Sequence, residues 1–344
     1  MRLVKLDQIT GEEVLARPIM TSDYKELLSE GTHVRPNIVH KLLSMGVTEI
    51  YIKDDSLDPQ IKRILKEDIN KLCKKKIEDI ISKHTYRSNV DMKEIMNTAE
   101  DIIDNVASDD NVAKQIYDIR ERSTDLYEHS VSTCSIATLI ALKMNLPRND
   151  IKEMSVGCLL HDLGLRYVTV SYENTDINDE EYLKHPIYGY SAIRAEEWLS
   201  KISKEIILMH HETIDGLGYP LHAHDMMITT KIVSLCDVFD EMICGLGHTR
   251  KKVHEVIEYI KNNKGKKYDS DVVDELLEFV AVYPAGDQVI LSTGERAIVI
   301  TQNKGYPERP VVQIITDSNG NILNRIEMRN LLEYSNVFIE KEIN

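Results

Sequence analysis

Residues 210–220 read HHETIDGLGYP, directly after the apolar run Ile206–Met209. The run predicts a buried helix that ends at the two histidines, and the glycines and proline predict an irregular loop that turns sharply. Imidazole nitrogen suits first-row metals, so a metal site beside a ligand-shaping loop is the first hypothesis. Two structural histidines before a turn would give the same pattern. The metal hypothesis therefore requires partners for His210 and His211 elsewhere in the chain.

The composition restricts the classes of function. The chain has 344 residues, with 42 Lys and Arg against 57 Asp and Glu, so its net charge is −15. This acidity argues against binding of DNA or RNA, because there is no basic excess to release counterions from a phosphate backbone. It leaves room for one small anionic ligand held by metal ions, which bring their own positive charge.

Targeting and redox signals predict a cytoplasmic protein. The N-terminus lacks an apolar signal core and no apolar run is long enough to span a membrane, so no membrane partner is expected. The five cysteines include no Cys-x-x-Cys pair, which favours reduced, packed thiols over a disulfide framework.

We predict a mainly α-helical protein with small modules at both ends. Residues 1–58 are predicted to form an α+β module of regulatory character, with a helix at Asn37–Met45 and a strand at 49–52. Residues 59–88 are predicted to form an amphipathic linker helix. Packing of this helix on its own chain is favoured, and a homodimer formed through it is the alternative.

Residues 89–283 are predicted to form one helical domain, and residues 284–344 a β-rich module. The predicted strands of the β-rich module are Val289–Leu291, Ala297–Thr301 and Val311–Thr316. The predicted helices are Val90–Ala107, Val112–Arg120, Asp125–Met144, Asp150–Leu160, Ser191–Leu199, Lys204–His211, Lys231–Ile243, Val253–Lys261 and Asp271–Val280.

Polar residues that could bind a metal interrupt two of the apolar helical patterns. His129 lies on the apolar face of its helix, and Asp125 lies one turn earlier on the same face. His161 and Asp162 follow an apolar run and are stopped by Gly164. Burial of such groups without a partner is costly, and a metal would supply one, although a salt bridge or a helix-end hydrogen bond would also serve.

Two further segments complete the set. His185 precedes Pro186, which predicts the start of another helix, and Asp237 is an acid within an apolar helix. Five histidines and two aspartates exceed what one tetrahedral zinc needs and suit two metals bridged by a shared carboxylate. Because thiolate ligands are absent from the set, manganese or iron is expected, with zinc or nickel as competitors.

The order of these residues, together with the Gly-Tyr-Pro loop, resembles the HD-GYP family of metal-dependent phosphodiesterases, which hydrolyse the bacterial messenger cyclic di-GMP. The resemblance covers roughly residues 89–281 and implies an HD-superfamily helical bundle with a two-metal centre bridged by Asp162. One metal would be held by His129, His161, Asp162 and Asp237. The other would be held by His185, His210 and His211.

The same resemblance implies further roles. Some members of the family carry an acid four residues before the first histidine and bind a third metal, and Asp125 occupies that position. The loop residues Asp215, Gly216, Gly218, Tyr219 and Pro220 would shape the pocket, and Tyr219 could stack on a guanine.

Two cation positions of the family pattern are changed here. The family lysine is replaced by Leu165, and the neighbouring Arg166 is a candidate replacement. The usual arginine-rich segment after Asp237 is also changed, and Arg250 or Lys251 is the candidate phosphate contact there.

The implied reaction is in-line attack by a metal-bridging hydroxide on a phosphodiester of cyclic di-GMP, giving pGpG, GMP or both, with His161 and Asp162 at the catalytic centre. Two alternatives stay open because of the changed cation positions. The first is a receptor that binds cyclic di-GMP without cutting it. The second is a hydrolase of another cyclic dinucleotide or nucleotide.

Overall fold

A computed structural model describes residues 2–16, 19–20, 26–45, 47, 49–53, 64–86, 94–108, 125–168, 179–246, 250–283 and 285–343. The chain folds as two compact units. One takes residues 1–62 and 280–344, and the other takes residues 63–115 and 119–279. Among the described residues, no helix is long and apolar enough to cross a membrane.

The N-terminal part of the first unit is a small α+β fold, as predicted. Its elements are β1 (Arg2–Lys5), β2 (Ile19–Met20), β3 (Glu26–Leu28), α1 (Pro36–Ser44) and β4 (Glu49–Ile52). Strand β1 pairs antiparallel with β4, and β2 pairs antiparallel with β3. Pro36 occupies the first turn of α1, where its missing N–H costs no helical hydrogen bond.

The C-terminal part of the first unit is an antiparallel five-stranded sheet in the order β8-β7-β6-β5-β9. The strands are β5 (Gln288–Leu291), β6 (Arg296–Thr301), β7 (Val311–Thr316), β8 (Ile322–Asn330) and β9 (Ile339–Ile343). The three predicted strands are confirmed, and β8 and β9 were missed. Both lie at sheet edges and carry several charged residues, so their sequences lack the apolar density of the inner strands.

The second unit is a helical bundle. Its helices are α2 (Glu67–Tyr86), α3 (Glu94–Ala107), α4 (Leu126–Lys143), α5 (Arg148–Leu160), α6 (His185–Ile193), α7 (Lys201–Met209), α8 (Ile228–Cys244), α9 (Val253–Asn263) and α10 (Ser270–Leu277). Short 3-10 helices cover His161–Tyr167 and Tyr182–Lys184. Helix α4 packs against α5 and α8, and 14 of its 18 residues are buried, so it forms the centre of the bundle.

One predicted helix is wrong and another lies outside the described residues. The segment Ser191–Leu199 is not a helix, because α6 begins at His185 and ends at Ile193. The Ser200 side chain accepts a hydrogen bond from the Ser203 N–H and starts α7 as a separate helix. The prediction at Val112–Arg120 falls where the structure describes no residues.

Candidate metal centre

Three histidines at helix ends are held in one tautomer. The Nδ1 atoms of His161, His185 and His210 lie 2.6, 2.8 and 3.2 Å from backbone carbonyl oxygens three or four residues earlier. A carbonyl oxygen only accepts, so each Nδ1 donates its proton to it and each Nε2 faces the interior. These three hydrogen bonds orient the three Nε2 atoms toward one another.

Asp162 lies between two pairs of histidines. Its Oδ2 is 3.3 Å from His161 Nε2 and 3.9 Å from His129 Nε2, whereas its Oδ1 is 3.4 Å from His185 Nε2 and 3.9 Å from His210 Nε2. Each carboxylate oxygen therefore faces its own pair of nitrogen atoms. This is the arrangement that a bridging carboxylate between two cations requires.

Asp237, on α8, closes the other side of the cluster. Its Oδ1 lies 3.0 Å from His129 Nε2 and 3.2 Å from His161 Nε2, and its Oδ2 lies 3.3 Å from His211 Nδ1. All seven residues predicted to hold the two metals are therefore brought together, although they come from five separate segments of the chain.

The cluster contains buried polar atoms that protein groups do not satisfy. His185 Nε2 and His210 Nε2 face each other at 3.1 Å, although both present lone pairs if their Nδ1 atoms carry the protons. Among the described residues, His161 Nε2, His211 Nε2 and Asp237 Oδ2 are buried without a hydrogen-bond partner. Cations would resolve both features, so the residues fit a centre of divalent first-row metals with nitrogen and oxygen ligands.

Burial and mutual charge shift the pKa values of the cluster. Although burial opposes it, the charges of Asp162 and Asp237 raise the pKa of His161 to about 10. The same contacts hold the pKa values of the two carboxyls well below their usual range, against the effect of burial. Burial and the neighbouring histidines lower the pKa of His210, and burial lowers that of His211 to about 3. The last two imidazoles are therefore neutral and available as ligands.

Residues around this centre were missed by sequence reasoning. Asp240 Oδ2 accepts a hydrogen bond from His129 Nδ1 at 2.9 Å, which turns the Nε2 of that ring toward the centre. Glu241 is buried beside Asp237, and burial together with the Asp237 charge raises the pKa of its carboxyl well above the usual range. Their spacing of three and four residues from Asp237 on one helix was the available signal.

The Gly-Tyr-Pro loop lies against the cluster of histidines and aspartates. The Tyr219 ring stacks on the His211 ring, with centroids 4.7 Å apart and planes at 25°. A Cβ atom on Gly218 would lie 2.5 Å from Glu212 Cα and 2.5 Å from His211 O, so the loop passes the histidine pair too closely for any side chain. Gly218 and Tyr219 therefore fix the position of His211.

Asp215 and Glu212 hold the loop itself. Asp215 Oδ1 accepts hydrogen bonds from Thr213 Oγ1 and from the Leu217 backbone N–H, so one of its carboxylate oxygens is used within the turn. The buried Glu212 carboxylate accepts from the backbone N–H groups of Leu221 and Ala223, after the Tyr-Pro step. Glu212 was missed, although it follows the two histidines directly.

Asp125 is the N-cap residue of α4. It lies just before α4, where its Oδ1 accepts the backbone N–H groups of Tyr127 and Glu128 at 3.0 Å, and its Oδ2 lies 3.1 Å from Lys74 Nζ. None of the metal-competent groups found among the described residues includes it. The helix begins after Asp125 and uses its carboxylate as the N-cap, and a third-metal role for this residue stays a prediction.

Leu165 and Arg166, at the first of the two changed cation positions, make different contacts. Leu165 is buried in an apolar cluster with Leu126, Tyr182, Cys244 and Leu246. Arg166 Nη1 donates a hydrogen bond to Tyr127 Oη at 3.2 Å.

The second replacement position is only partly described. Arg250 is exposed and follows residues 247–249, which lie outside the described part of the chain. A substrate contact by Arg166 or Arg250 therefore stays a prediction.

Comparison with known families agrees with this geometry. Residues 114–272 match the model of the HD domain, and residues 288–344 match the model of a KOW domain associated with HD domain. The predicted helical domain and the separate C-terminal β module thus correspond to two recognised sequence families.

Three similar proteins are phosphodiesterases by name. A cyclic di-GMP phosphodiesterase of Pseudomonas aeruginosa is 24% identical over 236 residues, which is 65% of this chain and 57% of the relative. A cyclic di-GMP phosphodiesterase of Thermotoga maritima is 26% identical over 46% of this chain and 45% of its own length. A 3'3'-cGAMP-specific phosphodiesterase of Vibrio cholerae is 24% identical over 56% of this chain and 37% of its own length. The chain spans little more than half of the first relative.

A solved structure, described as an HDG"Y"P protein from Bdellovibrio bacteriovorus, shares the fold. It matches with a TM-score of 0.53 and 17% identity over 80% of this chain and 97% of its own. The HD-domain match contains the His-Asp pair, the paired histidines and the Gly-Tyr-Pro loop at the centre described above. The central helical domain of this chain is therefore an HD domain, and its site motifs are those of the HD-GYP family.

Proposed function

We propose that this protein is a metal-dependent phosphodiesterase that hydrolyses cyclic di-GMP. The observation that carries the proposal is Asp162, whose two oxygens face two separate pairs of histidine nitrogens. Such a centre suits phosphodiester hydrolysis, because two cations about 4 Å apart can hold both the attacking and the leaving oxygen. The names of two relatives support cyclic di-GMP as the substrate.

Bound metals would supply charge neutralisation and an activated water at neutral pH. The chain's own groups would hold these metals. Asp162 would serve both positions, and Asp237, which lies against His129, His161 and His211, would hold the other side of the centre. The Tyr219 ring stacks on His211, which supports the proposal that this loop shapes one wall of a substrate pocket. Asp215, Gly216 and Pro220, in the same loop, are proposed to shape that wall with Tyr219.

We further propose two iron or manganese ions, with zinc or nickel as competitors. Two groups of residues could each hold a metal, and their ligand atoms are only imidazole nitrogens and carboxylate oxygens. The groups are Asp162, His185, His210 and His211, and His129, His161 and Asp237. Hard carboxylate ligands suit iron and manganese, whereas a site built from thiolates would favour zinc. Cys244 belongs to a separate group with His129 and Asp240.

The test is turnover by the anaerobically purified chain. Metal content is measured first, and the protein is then incubated with cyclic di-GMP and manganese or ferrous ions while pGpG and GMP are separated chromatographically. Asp162→Ala and His211→Ala should abolish turnover, and Glu258→Ala, an exposed carboxylate on α9, should not. Binding of cyclic di-GMP without any linear product would refute the phosphodiesterase and leave a receptor.

A second substrate is favoured by one relative, the 3'3'-cGAMP-specific phosphodiesterase. Leu165 adds a reason to test it, since an apolar cluster occupies the position of the family lysine. The ratio of kcat/KM for cyclic di-GMP to that for 3'3'-cGAMP decides between them. A ratio below one would assign the hybrid dinucleotide as the preferred substrate.

A further inference from the structure

Glu241 is a buried carboxylate at the centre that is not one of the seven predicted metal ligands. It lies one helical turn after Asp237 on α8, and only 5% of its surface is exposed. One of its oxygens lies within 4.8 Å of ligand atoms of both His211 and Asp237, and these three residues form a group of their own that could hold a metal. The chain therefore brings a further anionic oxygen to one side of the centre.

Two neighbouring atoms indicate that a cation belongs there. Asp237 Oδ2 and His211 Nε2 are buried and have no hydrogen-bond partner within the described part of the chain. In the same part of the chain, no hydrogen bond to the Glu241 carboxylate is found. Buried groups of this kind are costly unless a partner satisfies them, and one divalent cation would serve the aspartate, the histidine and the glutamate together.

The charge of the centre points in the same direction. Four carboxyl groups are buried within it, namely those of Asp162, Asp237, Asp240 and Glu241. Within the described part of the chain, the ion-pair partners of Asp162 and Asp237 within 4 Å are all histidines, which must be neutral to serve as ligands. Two divalent cations would balance the charge of four carboxylates.

Asp125 cannot take this role while it stays where the structure places it. Its two oxygens are used by the α4 N-terminus and by Lys74. We propose that Glu241, and not Asp125, supplies the additional carboxylate ligand of the metal centre, on the side formed by Asp237 and His211. This proposal rests on the metal-dependent function proposed above.

The experiment titrates the metal-free full-length chain with Mn²⁺ and follows free Mn²⁺ by electron paramagnetic resonance. Glu241→Gln should either lower the number of bound Mn²⁺ ions by one or lower the affinity of one class of site by roughly tenfold or more. Tenfold is the lower end of the loss typical for removing a group that supports a metal site. The matched controls Asp125→Asn and Glu258→Gln should bind Mn²⁺ within about twofold of the wild type, as expected for carboxyl groups outside the centre. Wild-type binding by Glu241→Gln, or equal losses in Glu241→Gln and Asp125→Asn, would overturn the proposal.

Thermal unfolding separates a ligand from a structural role. For a ligand, the Tm of metal-free Glu241→Gln should equal or exceed that of the wild type, and the rise in Tm on adding Mn²⁺ should be smaller. An equal fall in Tm with and without Mn²⁺ would make Glu241 structural and overturn the proposal. Absence of Mn²⁺ binding by the wild type would refute the metal-dependent function itself, and the ligand proposal with it.

Discussion

Asp240 offers the sharpest test of how the metal centre is supported. Its Oδ2 lies 2.9 Å from His129 Nδ1, and His129 Nε2 lies 3.0 Å from Asp237 Oδ1. Asp240 therefore holds the imidazole in the tautomer and orientation that present Nε2 to a metal. Asp240→Ala removes this acceptor, whereas Asp240→Asn keeps an oxygen acceptor and removes only the charge.

The expected magnitude follows from that geometry. Loss of a carboxylate partner behind a metal-ligating histidine typically lowers metal affinity about 10- to 100-fold, or about 1.4–2.8 kcal/mol. Asp240→Ala should lie in that range and Asp240→Asn should lose less. The unpaired Nδ1 proton of His129, which is fully buried, should also lower the free energy of unfolding of metal-free Asp240→Ala by about 1–3 kcal/mol.

Metal affinity is measured by competition of Mn²⁺ with a fluorescent chelator, and stability by urea unfolding of the metal-free protein. Glu258→Ala, exposed on α9, is the control for loss of a carboxylate. If Asp240→Ala binds Mn²⁺ within twofold of the wild type, the His129 ring is held by other contacts and the positioning role is refuted.

Three further predictions concern the centre, its loop and its apolar wall. The pKa of His161 is raised to about 10, so at pH 8 the metal-free protein holds a proton there that a metal must displace. Calorimetric Mn²⁺ titrations at pH 8 should therefore show release of at least one proton, and the affinity for Mn²⁺ should rise with pH up to about 10. Binding heats that do not depend on the ionisation enthalpy of the buffer would contradict this prediction. Gly218→Ala places a methyl group against the Glu212 backbone, which should lower the free energy of unfolding by about 1–3 kcal/mol and reduce turnover of the purified variant. An unchanged Tm would show that the loop can move aside. Leu165→Ala empties part of a buried apolar cluster and should cost about 2–4 kcal/mol in urea unfolding, and a loss below 1 kcal/mol would mean that the site collapses around the cavity.

Local sequence signals were sufficient for most elements of the helical unit. Apolar periodicity located α4, α5, α8 and α9 to within a few residues, because each has a buried face that repeats every three to four positions. The same reasoning failed at Ser191–Leu199, where buried Ile193 and Leu199 continue the pattern across a break in the backbone. It also missed β8 and β9, whose pairing at the sheet edges depends on the neighbouring strands and not on their own composition.

The sequence by itself determined seven candidate metal ligands. A histidine or an aspartate in an apolar helical pattern must find a partner when it is buried, and that requirement can be read from residue types alone. The stretch 210–220 and its partners were identified in this way, and the resemblance of their order to a known family then indicated the chemistry.

Only the tertiary structure decided how each group is used. Asp125 and Glu241 are both acids four residues from a proposed metal ligand, yet the first caps α4 and pairs with Lys74, while the second is buried beside Asp237. Which acid reaches the centre depends on where a helix begins and which face it turns toward its neighbours. Those features are set by packing between segments that are distant in sequence, and local patterns do not contain them.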